Sequence, residues 1–206
     1  MTSWLLLSAA LAASPATPPA ASVVAPHEAL PVEPVADDPD LPKAGGPVLS
    51  FRLRALNPEL QGQFIGIDSM VGSDRDDEKA KLVVLSFMAS YCKPCKKEMP
   101  YLQKLYARYK DQGLRVVMVA VDTDEAGQAA VAQLIKANGV TFPVLKDIGG
   151  LTSRRFLGQR TPLPSLFVVG ADGNIQSVKR GYDEKGGEVL LSEVQKGLGQ
   201  AAEALR

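Results

Sequence analysis

Cysteine and histidine are the scarce residues of this 206-residue chain, which holds two cysteines, Cys92 and Cys95, and one histidine, His27. Two cysteines cannot build a multi-bridge disulfide scaffold, nor can they supply most ligands of a thiolate zinc site. His27 lies in a proline-rich stretch, so a serine or cysteine hydrolase would find no histidine base in the folded part. Excess charge is missing too. The 23 basic residues balance 23 acidic ones, and no long run of either sign offers a footprint to nucleic acid or an anionic membrane. The expected partner is therefore a protein or a small thiol, and the cysteines, by count, look catalytic.

Long hydrophobic runs are also short of what a membrane span needs. Trp4 to Ala13 is apolar for ten residues, where a transmembrane helix requires about 20. It gives way to small residues and prolines, as the core and cleavage region of a secretory signal do, although no Lys or Arg precedes it. No cysteine follows this segment, so a lipoprotein-type anchor has no attachment residue, and an exported product is expected to be soluble. Residues 1–20 are thus read as a signal peptide. Residues 21–47 form an Ala/Pro/acid-rich linker with no helical or strand period, expected to be extended and to carry no chemistry. Nine of the 15 prolines fall in the first 47 residues. The core is left to 48–206, a length suited to one domain.

Within 48–206 the pattern alternates between strand and helix. Phe51-Arg52-Leu53-Arg54 reads as a half-buried strand, with a second short strand over Phe64–Ile67. A charged loop over Ser73–Lys81 ends at Leu82-Val83-Val84-Leu85-Ser86-Phe87-Met88, an apolar run of the kind found in central parallel strands. Met99, Leu102, Leu105, Tyr106 and Tyr109 recur at helical spacing, with Gly113 as the stop. Leu114–Val121 is a further buried strand. Asp122-Thr123-Asp124 offers an N-cap to a helix bearing Val131, Leu134 and Ile135 and ending near Gly139. A strand near Phe142–Leu145, a helix over Leu151–Leu157, and strands Leu166–Val169 and Ile175–Arg180 joined at Asp172-Gly173 follow. A last amphipathic helix uses Leu191, Val194, Leu198, Ala201 and Leu205, weakened by Gly197 and Gly199. No internal repeat is visible.

Cys92 and Cys95 stand at a strand-to-helix junction. At that position the unpaired N–H groups and dipole of the helix N-terminus stabilise a thiolate, which lowers the pKa of Cys92 below the free value of about 8.5. Cys92 is expected to be the exposed attacking nucleophile. Cys95 is expected to be the buried thiol that resolves the mixed disulfide. Lys93 adds positive charge and Pro94 stiffens the first helical turn, where no N–H donor is needed. Taken alone, a single CxxC could also be half of a metal site. The apolar strand before it, the periodic helix after it and the absence of a second CxxC favour redox chemistry.

The stretch Phe87-Met88-Ala89-Ser90-Tyr91-Cys92-Lys93-Pro94-Cys95-Lys96-Lys97-Glu98-Met99-Pro100 resembles the active-site segment of the TlpA/ResA-like thioredoxin family. Leu163-Pro164-Ser165-Leu166-Phe167-Val168-Val169-Gly170-Ala171-Asp172-Gly173 resembles that family's cis-proline loop, strand and hairpin. The likeness runs from about residue 48 to the C-terminus. It implies an α/β thioredoxin fold: a central mixed sheet flanked by helices, with extra N-terminal strands and an insertion helix. It further implies that Pro164 is cis beside the disulfide and that Leu163 offers backbone hydrogen bonds to a partner strand. Pro162 is expected to be trans, and Pro100 matches the proline that bends the family's active-site helix. Glu98 matches a glutamate whose burial would raise its pKa and let it exchange protons with the thiols; the competing reading is a solvated helix acid.

Two departures stand out. Tyr91 takes the place of the family's usual tryptophan and keeps an aromatic platform. Ser86 occupies the strand position where cytosolic thioredoxins carry a buried aspartate, which leaves proton handling to Glu98 or water. The resemblance implies catalysis by Cys92, Cys95 and Glu98, and partner binding by Tyr91, Lys93, Pro94, Leu163 and Pro164. No cofactor or metal is expected. The activity implied is reduction or exchange of protein disulfides, and the protein is expected to be periplasmic or otherwise exported and a monomer. It would be supplied by a thiol-disulfide electron donor, membrane-bound or not, and would serve cytochrome c maturation or a related task. The alternatives are Cu(I) delivery by the same cysteines with Met88 or Met99, a peroxiredoxin-type peroxidase, for which the loop before Cys92 lacks a threonine, and an adaptor with an inert disulfide.

Overall fold

A computed structural model describes residues 41–60, 63–71 and 80–199. The expected signal peptide, most of the linker, residues 73–79 of the charged loop, and Ala201 and Leu205 of the last helix lie outside the described residues. The run Leu82–Met88 forms strand β3, and all seven of its residues are buried. A strand dry on both faces has no polar side to alternate with, which is why it reads as a continuous apolar run. It pairs in parallel with β4 (Leu114–Ala120) from Leu82↔Leu114 to Met88↔Ala120. Its other edge pairs antiparallel with β6 (Ser165–Gly170), from Leu82↔Gly170 to Phe87↔Ser165.

The remaining strands are β1 (Arg52–Ala55), β2 (Phe64–Gly66), β5 (Val144–Lys146) and β7 (Ile175–Arg180). They complete a seven-stranded mixed sheet in the order β2-β1-β5-β4-β3-β6-β7. Asn57 joins the end of β1 to β5 as a strand would. Its amide donates to the Phe142 carbonyl at 3.1 Å and accepts from the Val144 N–H at 2.6 Å.

Helices α1 (Lys93–Tyr109), α2 (Glu125–Ala137) and α4 (Glu184–Gly197) contribute buried residues to one hydrophobic cluster, and α3 (Leu151–Leu157) contributes to the other. The period of two along β3 sends Leu82, Val84 and Met88 to the α1 side and Val83, Leu85 and Phe87 to the α3 side. On the α3 side Phe156 meets Phe87, Phe167 and Phe51 with ring centroids 5.2, 5.3 and 5.9 Å apart. Asp147, buried past the end of β5, caps α3 by accepting from the Thr152 and Ser153 N–H groups at 3.2 and 2.7 Å.

Three differences from the sequence pattern have physical reasons. Residues 45–48, which the composition assigns mainly to the linker, lie along the start of edge strand β7. Gly45 N donates to Ile175 O and Ile175 N to Gly46 O, both at 2.8 Å, and Val48 N donates to Gly173 O at 2.9 Å. The unpaired backbone groups of a sheet edge give this otherwise patternless stretch its partners. Helix α4 starts at Glu184, earlier than its apolar period, because Gly186 and Gly187 interrupt that period. Gly187 is a point of close approach: the Tyr101 hydroxyl donates to its carbonyl, and an added Cβ would come within 3.3 Å of the Tyr101 ring. Gly197, which propensity counts only as a weakness, likewise lets α4 close on β3, since a Cβ there would sit 2.9 Å from a Leu82 methyl.

Phe156 is the one aromatic that joins α3 to both β3 and β6, so Phe156→Ala should cost about 3–5 kcal/mol of unfolding free energy. Guanidinium denaturation of the oxidised protein checks this; a loss below about 1 kcal/mol would mean that the α3 layer is not packed as described.

Candidate active site

The chain leaves the C-terminal end of β3, turns through Ala89–Cys92 with Cys92 N donating to Ala89 O at 3.1 Å, and enters α1. Cys92 is the N-cap of that helix, in an extended conformation with φ −78° and ψ 106°. Its Sγ accepts from the Cys95 N–H at 3.2 Å, and its carbonyl accepts from Lys96 N at 3.2 Å. Pro94 falls in the first turn, where its lack of an N–H costs nothing. The two sulfurs are bonded at 2.05 Å with Cα atoms 5.3 Å apart. Cys95 is fully buried. Cys92 is 8% exposed, more than its partner but far less open than the sequence pattern suggests, because in the disulfide its sulfur is folded onto the helix N-terminus. The first turn of α1 carries Lys93 and no acid, so the local field favours an anion at Cys92.

Glu98 lies one turn beyond Cys95 on the buried face of α1, beside Met99 and Leu102. It is 2% exposed, which sets aside the reading as a solvated helix acid. Burial pushes its pKa up from 4.5 to about 7, against a smaller lowering by the Ser86 hydroxyl. Ser86 Oγ donates to Glu98 Oε2 at 2.7 Å. The same strand period that puts Val84 and Met88 on the α1 side puts Ser86 there, so the serine that departs from the cytosolic thioredoxin pattern is the residue that meets the glutamate. Glu98 also borders an open cleft of about 500 Å³ between β6, β7 and α4, lined in addition by Leu166, Arg180, Tyr182 and Asp183.

The pairing Phe87↔Ser165 brings the start of β6 beside the end of β3. Immediately before it the Leu163–Pro164 peptide is cis, whereas the bond preceding Pro162 is trans. Leu163 is partly buried against both hydrophobic clusters. Pro164 O accepts from Gly181 N at 2.8 Å, and Ser165 Oγ donates to Pro162 O at 2.7 Å. On the Cys92 side Lys93 and Pro94 are exposed, and Tyr91 presents 74% of its surface to solvent. Pro100 is accommodated within a continuous α1.

The residues picked out from the sequence therefore fall into two groups at one end of the sheet. Cys92, Cys95, Glu98, Tyr91, Lys93 and Pro94 lie at the start of α1, and Leu163 and Pro164 lie at the start of β6. Sequence reasoning missed Asp122. The motif around it reads as an N-cap, but Asp124 fills that role by accepting from Gly127 N at 2.7 Å. Asp122 instead reaches across to Ser90. Among the described residues no three His, Cys, Asp or Glu side chains gather as a metal site, and no helix is long and apolar enough to cross a membrane.

Comparison with known proteins gives a consistent result. The family model described as AhpC/TSA matches residues 69–178. Over 145 residues the chain is 32% identical to the thiol-disulfide oxidoreductase ResA of Oceanobacillus iheyensis, covering 70% of this chain and 69% of that protein. Over 104 residues it is 40% identical to ResA of Bacillus thuringiensis, covering 50% of this chain and 57% of that relative. A solved structure of a thiol:disulfide interchange protein of the thioredoxin family from Chlorobium tepidum superposes with a TM-score of 0.59 at 25% identity, covering 78% of this chain and 99% of that one. With a thioredoxin-like sheet, a bonded CxxC at the first turn of α1 and these matches, the chain belongs to the AhpC/TSA family and, within it, to the ResA-type thiol-disulfide oxidoreductases.

Proposed function

We propose that the protein reduces or exchanges disulfides of exported protein substrates through the Cys92–Cys95 couple, with Glu98 as the proton-handling group. The observation that carries this reading is the bonded pair at the N-terminus of α1 with a buried, protonatable carboxyl one turn below. In the reducing direction the Cys92 thiolate attacks one sulfur of a substrate disulfide. A mixed disulfide forms and the other substrate sulfur leaves as a thiolate. Cys95 then loses its proton, and its thiolate attacks Cys92 Sγ, releasing the second substrate thiolate and forming Cys92–Cys95. The substrate gains two electrons and the enzyme loses two. Near neutral pH Glu98 is poised between acid and base, so it can take the Cys95 proton and return it through water in the cleft.

In this reading Tyr91, Lys93 and Pro94 form one wall of the substrate surface and Leu163 and Pro164 the other, with Leu163 offering its backbone to an extended substrate segment. The apolar N-terminal segment supports export to a periplasmic or equivalent compartment, and the likeness to ResA supports cytochrome c maturation or a related thiol-supply task. A thiol-disulfide electron donor regenerates the dithiol, and the enzyme works as a monomer.

Cys92→Ser is expected to abolish dithiothreitol-coupled insulin reduction. Cys95→Ser is expected to accumulate a mixed disulfide with substrate, seen as a dithiothreitol-sensitive band on non-reducing gels. Retention of turnover by Cys92→Ser would overturn the nucleophile assignment. The couple is expected to equilibrate near thioredoxin's value of about −270 mV in graded thiol buffers; a value near about −120 mV would make the protein an oxidant.

Glu98 gives a second expectation. The folded protein binds the Glu98 proton more tightly than the unfolded chain does, so this group's contribution to stability falls as pH rises from 4.5 through about 7 and levels off above. Glu98→Gln removes that slope. In the oxidised form it should therefore gain on the wild type between pH 5 and pH 8, by up to roughly 3 kcal/mol, in parallel denaturation series. Parallel wild-type and variant profiles would refute the raised pKa.

A further inference from the structure

Asp122 is 5% exposed just past the end of β4 and has no ion-pair partner among the described residues. Both of its carboxylate oxygens face one residue. The Ser90 N–H donates to Oδ2 at 3.0 Å and to Oδ1 at 3.2 Å, and the Ser90 hydroxyl donates to Oδ1 at 2.5 Å. Val121 N donates to Met88 O at 2.9 Å, so the carboxylate is held beside the end of β3 by backbone pairing. The first turn of α2 closes its other side. A Cβ on Gly127 would lie 2.7 Å from Asp122 Oδ1 and 2.8 Å from its Cβ, so a glycine stands where the helix passes the carboxylate. An enclosed carboxylate without a cation is costly unless its hydrogen bonds repay the lost water. Here all of those bonds go to the active-site turn, two residues before Cys92.

We infer that Asp122 is a positioning residue: acting through Ser90, it holds the Ala89–Cys92 turn so that Cys92 Sγ stays on the Cys95 N–H at the N-terminus of α1. The inference rests on Cys92 being the nucleophile. Cys92 is an N-cap whose extended conformation is set by the turn entering it, and that turn has one backbone bond of its own, from Cys92 N to Ala89 O. Without the anchor on Ser90 the sulfur can swing away from the helix N-terminus, and the thiolate loses the donors that favour it. The charge of Asp122 works in the opposite sense, since a second anion near the turn disfavours a thiolate. The two effects therefore predict shifts of opposite sign when the residue is changed. The other charged side chains at the same helix start are Lys93, Lys96 and Lys97, with Glu98 one turn beyond Cys95.

The test is the pH profile of iodoacetamide alkylation of the fully reduced protein, with the labelled cysteine identified by peptide mapping and the series repeated in a Glu98→Gln background. Asp122→Ala is expected to raise the apparent Cys92 pKa by about one unit, slowing alkylation about tenfold at pH values below it. Asp122→Asn keeps an acceptor oxygen for Ser90 and is expected to stay within about threefold of wild type, as a conservative rescue. Asn57→Ala breaks a buried link between β1 and β5 away from the turn, and should lower stability without moving the profile. An Asp122→Ala profile that superimposes on wild type overturns the inference. So do equal downward shifts in both Asp122 variants, which would make the residue a simple charge. If Asp122→Ala does not fold, Ser90→Ala replaces it: a two- to threefold slowing supports the anchor and an unchanged profile rejects it. Label appearing first on Cys95 in the wild type refutes the nucleophile assignment itself, an outcome separate from any effect of Asp122.

Discussion

Because β3 is dry on both faces and paired along both edges, its register and facing are fixed by what each of its residues packs against. A one-residue shift would turn Ser86 away from α1 and drive Phe87 out of the aromatic cluster with Phe156 and Phe167. The site hangs from this strand. Its end delivers Cys92 to the first turn of α1, its Ser86 meets Glu98, and its pairing with β6 brings the residue after the cis Leu163–Pro164 peptide opposite Phe87. The hydrophobic packing on the two sides of the sheet thus also sets the geometry of the redox pair.

Four of the buried polar side chains have partners that tie separate segments together. Glu98 has Ser86, Asp122 has the turn at Ser90, Asp147 has the start of α3, and Asn57 has the backbone around β5. Such groups cost free energy to bury and are retained where their bonds offset the loss. Asn57 and Asp147 serve the architecture. Asp122 and Glu98 lie near the start of α1, one bonded to the turn that leads into it and one on its buried face a turn beyond Cys95. Their environments differ in kind. Glu98 has one hydroxyl donor and a raised pKa, whereas Asp122 accepts from a backbone N–H and a hydroxyl.

The edges of the sheet are handled in different ways. On the β7 side, residues 45–48 supply backbone partners at the hairpin. On the other side β2 has three residues, and Arg54 of β1 lies over the exposed Phe64 ring at 5.3 Å to the centroid. A short strand under a charged side chain is a poor template for another chain. Away from both edges, next to Cys92, Tyr91 stands exposed.

The elements themselves were legible in the sequence, since α3 and β7 occupy the spans their patterns indicate and β3 announces itself as an apolar run. So were the cysteine pair, the glutamate one turn on and the proline of the later loop, because scarcity, helical spacing and motif are properties of order along the chain. Contacts between distant positions were not legible in that way. That Ser86 donates to Glu98, that Asp122 grips Ser90 and leaves the cap to Asp124, and that Gly187 and Gly197 are points of close approach all depend on which faces meet across elements. A period of two or 3.6 says that a residue faces inward; only the packed sheet and helices decide what it faces.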